Sequence, residues 1–274
     1  MIHSVISRQG GKSRLVKSII PLFPEHKMYA EVFGGASWIL LNKQESLIEI
    51  YNDIEGNIVN LFRVIRDFPG EFINRLRYDI ISRETFDLYK KIDLQNLDPF
   101  DRAVKYYYIH CNSFSSDMST FIKRDRLTNP NRIISRMPKL LLEFSKRMIN
   151  VVIENLDFRE FFKKYNGEEW LFYLDPPYYG VEGYAEPFTD NEHNDLAKIL
   201  HEDFKGRFIL SYNDVPEIRK LYSKFNTITL DVIYQAANRP KVNQNLSEKK
   251  SELVITNFID PLRHTRYINA TIST

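Results

Sequence analysis

Four consecutive residues, Asp175-Pro176-Pro177-Tyr178, carry the sharpest chemical signal in the sequence. They follow the apolar run Trp170 to Leu174, which reads as a buried strand, and two prolines there end the strand ladder and stiffen the turn. An acid, a rigid carbonyl and an aromatic ring are thereby presented at the C-terminal edge of a sheet, where open α/β folds bind ligands. An exocyclic amine shares its lone pair with its aromatic ring and is a poor nucleophile. A carboxylate and a backbone carbonyl accepting both amine hydrogens would draw it toward tetrahedral geometry and stabilise the positive charge that arrives with a methyl group. The tyrosine adds a stacking face for a planar base.

A second group is Glu31-Val32-Phe33-Gly34-Gly35-Ala36-Ser37, placed where a nucleotide-binding glycine loop belongs. It departs from G-x-G-x-x-G at Ala36 and Ile39, so no pyrophosphate cradle is expected. The glycine pair still lets the backbone approach a ligand closely. Asp53 lies 19 residues past Gly34 at the end of the next strand, a position that suits hydrogen bonding to a ribose diol. Together these fit an adenosine ligand without a diphosphate, S-adenosylmethionine being the obvious one; a helix cap at Asn52-Asp53 is the plainer alternative. Gly10-Gly11-Lys12-Ser13 invites comparison with a phosphate-binding loop, but the first glycine of that pattern is replaced by Ile6, which argues against an NTPase.

These residues need a scaffold, and hydrophobic periodicity predicts one. It gives a helix over 12–21 stopped by Pro21, a strand over 28–33, a helix start over 37–43 and a buried strand over 47–51. A helix over 54–68 comes next, with Ile58, Leu61, Phe62 and Ile65 on one face. Strand, glycine turn, helix, strand, acid is the order of a nucleotide-binding βαβ half. Strands are predicted again at 151–153, 170–174, 207–212, 227–234 and 252–258, and Thr189 with Glu192 forms a capping box for the helix carrying Leu196, Ile199 and Leu200. In between, 72–80, 83–92 and 101–110 read as helices, 112–120 is polar and Ser-rich, and Pro130 and Pro138 punctuate the stretch up to 150. The expected fold class is α/β: a Rossmann-like sheet domain over 1–69 and 151–274, interrupted by a mostly helical insert over 70–150.

Composition narrows the setting. Of 274 residues 43% are hydrophobic and 14% aromatic, enough for a packed core. No apolar run nears the roughly 20 residues of a membrane helix, and the first residues lack a secretory-signal pattern. A single cysteine, Cys111, excludes a disulfide framework and a Cys-based zinc cluster, and six scattered histidines without HExxH give no reason to expect a metal. A soluble cytoplasmic protein is expected. The net charge of +2 hides an asymmetry: residues 102–150 hold ten Lys/Arg against three Asp/Glu, a basic block suited to a polyanion.

In chain order, G-G-K at 10–12, E-x-F-G-G at 31–35, N-D at 52–53, D-F at 157–158, D-P-P-Y at 175–178, S-Y-N-D at 211–214 and E-L-V-I-T-N at 252–257 resemble the Dam-like DNA N6-adenine methyltransferases. The order of cofactor motifs, insert and D-P-P-Y is that of their α group. The resemblance implies S-adenosylmethionine as cofactor, bound by Lys12 and Asp53, with the loop Phe33, Gly34, Gly35, Ala36 and Ser37 beneath its methionine part. Asp157 and Phe158 would contact its adenine by hydrogen bond and stacking, and Asp175, Pro176, Pro177 and Tyr178 would hold the target adenine, Asp175 also beside the cofactor. The family usually has an aromatic residue where this chain has Arg8, at the edge of the cofactor site.

The insert corresponds to the family's target-recognition domain. Tyr106-Tyr107-Tyr108 followed by Asn112-Ser113-Phe114 resembles its helix leading into a DNA-reading hairpin, although the tyrosines also suit a core. Lys123, Arg124, Arg126, Arg132 and Arg136 are candidates for phosphate or base-edge contacts. His193 is read as structural, because direct methyl transfer needs no prior base, and Cys111 lacks the preceding proline of a cytosine-C5 nucleophile. The implied enzyme flips adenine out of duplex DNA and methylates N6 directly, without a metal. N4-cytosine methylation, N6-adenine methylation in RNA and a catalytically silent nucleic-acid binder are the alternatives. The expected partner is double-stranded DNA, with a cognate restriction endonuclease as a further candidate, no membrane, and a monomeric state.

Overall fold

A computed structural model describes residues 1–8, 11–78, 81–113, 118–122, 130–181, 188–233 and 249–259, with the side chains of 130–136, 231–233 and 249–250 left aside. In chain order its regular elements are α1 (Val16–Ile19), β1 (Met28–Glu31), α2 (Trp38–Asn42), β2 (Ile48–Asn52), α3 (Gly56–Asp67), α4 (Pro69–Leu76), α5 (Arg83–Lys90), α6 (Pro99–Asn112) and α7 (Pro130–Met148). Then come β3 (Val151–Glu154), α8 (Phe158–Lys164), β4 (Trp170–Leu174), α9 (Asp190–Lys198), β5 (Arg207–Asn213), α10 (Pro216–Leu221), β6 (Asn226–Ile233) and β7 (Lys249–Thr256). The class is α/β, as expected. No helix of the described residues is long and apolar enough to cross a membrane.

The chain divides into two compact units, Met1–Val16 with Gly34–Leu156, and Lys17–Phe33 with Asp157–Thr274. In the first, β2 and β3 pair in parallel with Glu49 opposite Val151. The predicted face of α3 is buried: Ile58, Leu61, Phe62 and Ile65 are each fully covered. Phe62 meets Tyr51 of β2 at 5.0 Å and Phe144 of α7 at 4.7 Å between ring centroids. Arg63 and Arg66 reach back from α3 to donate to the carbonyls of Ile153 and Val151 at 2.7 and 2.9 Å.

In the second unit the strand order is β1-β4-β5-β7-β6. β1, β4 and β5 run parallel, and β7 is antiparallel to both β5 and β6. All five residues of β4 are buried, the pattern of a strand covered on both faces.

Several elements differ from the sequence reading. Residues 12–22 form two 3-10 turns around the four-residue α1 instead of one helix. The strand read at 47–51 starts at Ile48, and Leu47 and Ile48 are exposed. The helix read at 72–80 runs from Pro69 to Leu76, because a proline lacking its N–H is well placed in a first helical turn. Pro130 and Pro138 both lie in one 19-residue helix, α7. Burial of Leu141, Phe144 and Met148 offsets the hydrogen bond that Pro138 cannot donate.

Candidate active site

The glycine loop in the first unit is locked by its neighbours. The Gly34 N–H donates to the Asn52 carbonyl at 2.8 Å, and the Ser37 N–H to the Gly34 carbonyl at 2.7 Å. No side chain fits at Gly34, since a Cβ would lie 2.2 Å from the Tyr51 ring. Gly35, at φ +47°, donates its N–H to Asp53 Oδ2 at 2.7 Å and accepts from the Tyr51 hydroxyl at 2.8 Å. Ser37 adopts φ +57°, a left-handed conformation uncommon for a residue with a side chain. Ser37 is only 1% exposed, and its Oγ has no hydrogen-bond partner among the described residues. Ala36 beside it is also buried.

Asp53 therefore stands directly against the loop. Its other oxygen accepts from the Glu55 N–H at 2.8 Å, which fixes the carboxylate plane while leaving lone pairs for a ligand hydroxyl. Burial raises its carboxyl above the ordinary range, against the opposing pull of the nearby Arg8 guanidinium and the Gly35 N–H. Lys12 is buried at the start of the first 3-10 turn, while Gly10 of the same motif lies outside the described residues.

Arg8 takes part in an ion pair with Glu55, whose Oε1 accepts from the Tyr106 hydroxyl of α6 at 2.8 Å. One turn further along α6, His110 Nε2–H donates to the Ser7 carbonyl at 2.7 Å. Burial, helped by Arg8, lowers the His110 pKa to about 4. Where the resemblance leads one to expect an aromatic residue, this chain has Arg8 paired with Glu55, and residues 7–8 are linked to α6 by the Tyr106–Glu55 and His110–Ser7 hydrogen bonds.

Of the insert residues singled out by the sequence, Asn112 and Ser113 are buried. Asn112 donates to the Tyr108 carbonyl at 2.8 Å and Ser113 to the His110 carbonyl at 3.0 Å. Tyr106, Tyr107 and Tyr108 are buried as core. Lys123, Arg124, Arg126 and Phe114 lie outside the described residues, and Arg132 and Arg136 fall in α7 without described side chains.

In the second unit Asp175 to Tyr178 leave the end of β4, with Pro176 buried and Asp175 half-buried. The turn closes with the Val181 N–H on the Tyr178 carbonyl at 3.2 Å, and Gly180 at φ +68° takes the position where a turn of this kind favours glycine. The Tyr178 hydroxyl donates to the buried carboxylate of Glu252 on β7. Burial, then the charges of Asp175 and Glu252, push the Tyr178 hydroxyl far above its ordinary value, so it keeps its proton. Tyr173 and Ser211 share a 3.1 Å hydrogen bond beneath the turn, and the buried Glu31 of β1 accepts from the Tyr29 hydroxyl at 3.1 Å.

The same unit brings Phe33 and Phe158 together, 5.7 Å apart, with Phe188 at 5.6 Å from each. Asp157 caps α8 by accepting from the Arg159 N–H at 2.8 Å, and the Arg159 guanidinium lies 4.4 Å from the Phe158 ring centroid. His193 is buried, shares a 2.6 Å hydrogen bond with the Tyr212 hydroxyl, and has a pKa lowered by burial. Sequence reasoning missed Glu31, Glu252, Asn213 and Phe188. The first three stand inside matched motifs whose individual roles the pattern does not give, and Phe188 stands in none.

The D12 class N6 adenine-specific DNA methyltransferase family matches residues 9–236 of this chain. Type II methyltransferase M1.LlaDCHI of Lactococcus lactis subsp. cremoris is 26% identical over 280 aligned positions, covering 91% of this chain and 93% of that protein. Modification methylase StsI of Streptococcus sanguinis is 24% identical, covering 94% of this chain but 43% of its own length. Among solved structures, the rRNA methyltransferase AviRa of Streptomyces viridochromogenes aligns over 92% of this chain and 89% of that one, at 11% identity and a TM-score of 0.38.

Proposed function

The chain belongs to the D12 class N6 adenine-specific DNA methyltransferases, and from that premise we propose that it takes the methyl group from S-adenosylmethionine and delivers it to an adenine turned out of duplex DNA at the Asp175–Tyr178 turn. The observation that carries this is the turn itself: a half-buried carboxylate and two prolines at the end of a fully buried strand, with the Tyr178 hydroxyl held by Glu252. Asp175 and the Pro176 carbonyl accept the two N6 hydrogens and orient the lone pair, and the Tyr178 ring stacks on the base. Unstacking a base costs a few kcal/mol, which contacts from the insert and from Tyr178 offset.

The residues present suit the cofactor. At Gly34 there is no room for a side chain, the Ser37 hydroxyl is buried and has no partner among the described residues, and Asp53 is oriented by two backbone N–H groups. Lys12, Gly34 to Ser37 and Asp53 would hold it, with Arg8 acting through its charge near Asp53. When bound, it supplies a sulfonium-activated methyl group; the chain's residues bind, orient and exclude water.

Residues 70–150 serve as the DNA-recognition insert in this reading. The relatives are named as a type II methyltransferase and a modification methylase, which supports a role in restriction-modification with a cognate endonuclease as counterpart.

Single-turnover methylation of an adenine-containing duplex tests the proposal. Loss of one well-placed electrostatic partner costs on the order of 100- to 1000-fold in rate. Asp175→Ala is accordingly expected to be nearly inactive at saturating cofactor while still binding its DNA site, and Asp175→Asn, which keeps an acceptor oxygen, to retain more activity. A near-wild-type rate in Asp175→Ala overturns the assignment.

A further inference from the structure

We infer that Glu252 is a positioning residue for the Asp175–Tyr178 turn, holding the Tyr178 ring through its hydroxyl, with Asn213 as its cross-strand counterpart. The inference rests on the reading of that turn as the adenine-binding element.

Asn213 and Glu252 face each other directly in the antiparallel pairing of β5 and β7. Both reach the same turn: Asn213 Nδ2 donates to the Tyr179 carbonyl at 3.0 Å, and Glu252 accepts from the Tyr178 hydroxyl. They come from S-Y-N-D and E-L-V-I-T-N, two matched segments to which the sequence pattern gives no individual role.

The turn's backbone is already constrained by Pro176 and Pro177, by the Val181-to-Tyr178 hydrogen bond and by Gly180. The freedom that remains is the orientation of the Tyr178 ring. A hydrogen bond to a carboxylate is about twice as strong as one between neutral groups, and a second anchor at the adjacent carbonyl keeps the ring's attachment point from shifting. Burying a carboxylate disfavours folding unless its hydrogen bonds are made. Glu252 is 3% exposed, so its place beneath the stacking ring has a cost that a purely structural leucine would avoid. Held this way, Tyr178 offers one face at one angle to the incoming base.

The experiment is a double-mutant cycle read by single-turnover methylation at saturating cofactor and DNA, with DNA affinity measured alongside. Tyr178→Phe keeps the ring and removes the anchor. It is expected to slow methyl transfer on the order of tenfold, within the hundredfold that a misplacement of about 1 Å can cost, with DNA affinity unchanged. Glu252→Ala is expected to slow it comparably, and Glu252→Gln, which retains an acceptor oxygen, to keep most of the rate. The double variant Tyr178→Phe with Glu252→Ala is expected to be no slower than the slower single variant, because both remove the same interaction.

A wild-type rate for Tyr178→Phe overturns the inference, as do fully additive losses in the double variant. If Glu252→Ala does not fold, Glu252→Gln decides: a rate below that of Tyr178→Phe overturns the anchoring role. Asp175→Ala, run in parallel, separates the two levels. Full activity there removes the reading of the turn itself, whereas an inactive Asp175→Ala beside an unaffected Tyr178→Phe removes the positioning role alone.

Discussion

Replacing His110 by glutamine removes a proton-binding site while keeping a side-chain N–H that can reach the Ser7 carbonyl, to which His110 now donates at 2.7 Å. The imidazole is 3% exposed, and burial together with Arg8 lowers its pKa from 6.5 to about 4. Between those values the unfolded chain binds more protons than the folded one, so stability falls as pH falls through that window and the histidine's contribution levels off below about 4. With each pKa unit worth about 1.36 kcal/mol, acidification from pH 7 to pH 5 costs the wild type about 2 kcal/mol through this group alone. Asp53, raised by burial, works in the opposite sense. The informative quantity is therefore the difference between wild type and variant, in which groups common to both cancel. Urea unfolding at pH 7 and pH 5 measures it. The glutamine variant is expected to lose about 2 kcal/mol less on acidification than the wild type. Equal losses in both proteins would mean that His110 already titrates near its ordinary value, and that it does not clamp Ser7 as a neutral ring.

Three further outcomes are expected. Asp53→Ala should raise the dissociation constant for S-adenosylmethionine about tenfold or more in calorimetric titration, since hydrogen bonds to a charged group are worth roughly 1.5–3 kcal/mol; unchanged affinity would leave Asp53 only the task of bracing the loop. Gly34→Ala brings a Cβ to 2.2 Å from the Tyr51 ring, so it should lower stability by about 1–3 kcal/mol in urea unfolding and weaken cofactor binding with it; wild-type stability would show that the loop yields freely. Reversing the charges of Lys123, Arg124 and Arg126, which lie outside the described residues, should weaken DNA binding and flatten its salt dependence by about 0.9 in slope for each phosphate no longer neutralised. An unchanged slope would move the DNA surface elsewhere, with Arg239 and Lys241, also outside the described residues, the next basic residues to test.

The fold is legible in the sequence wherever one face of an element is apolar and local chemistry marks its ends. The α3 stripe, the Trp170–Leu174 strand and the Thr189–Glu192 capping box all stand where periodicity and cap residues put them. Departures occur where a distant contact overrides a local signal. Pro138 reads as a helix breaker, yet α7 continues through it because Phe144 packs on Phe62 from another part of the chain. Strand β2 reads as buried although its sequence includes Glu49, and the structure shows how that acid is accommodated: it is buried and bound by Lys43 and Arg147. Burial alone would raise that carboxyl; the hydrogen bonds from Arg147 and Lys43 outweigh it and hold it below its ordinary range. Neither cation is close to Glu49 in a pattern that periodicity can read, since Arg147 comes from the far end of α7.

The site divides in the same physical way. Gly34, Asp53 and the Asp175–Tyr178 turn have roles set largely by the residues beside them: a glycine where no Cβ fits, an acid at a strand end, prolines that stop a strand. Their chemistry is therefore written in a short stretch of sequence. Asn213 and Glu252 meet the turn only because β5 and β7 pair in one antiparallel register. Side chains alternate faces along a strand, so a slip of one residue in β7 would put Leu253 opposite Asn213 and turn Glu252 away from Tyr178. That register is held by the buried apolar run Leu253, Val254 and Ile255, and is fixed further by the pairing with β6. The carboxylate that holds the Tyr178 hydroxyl thus depends on the hydrophobic packing of the three residues that follow it on its own strand, a dependence that no local motif expresses.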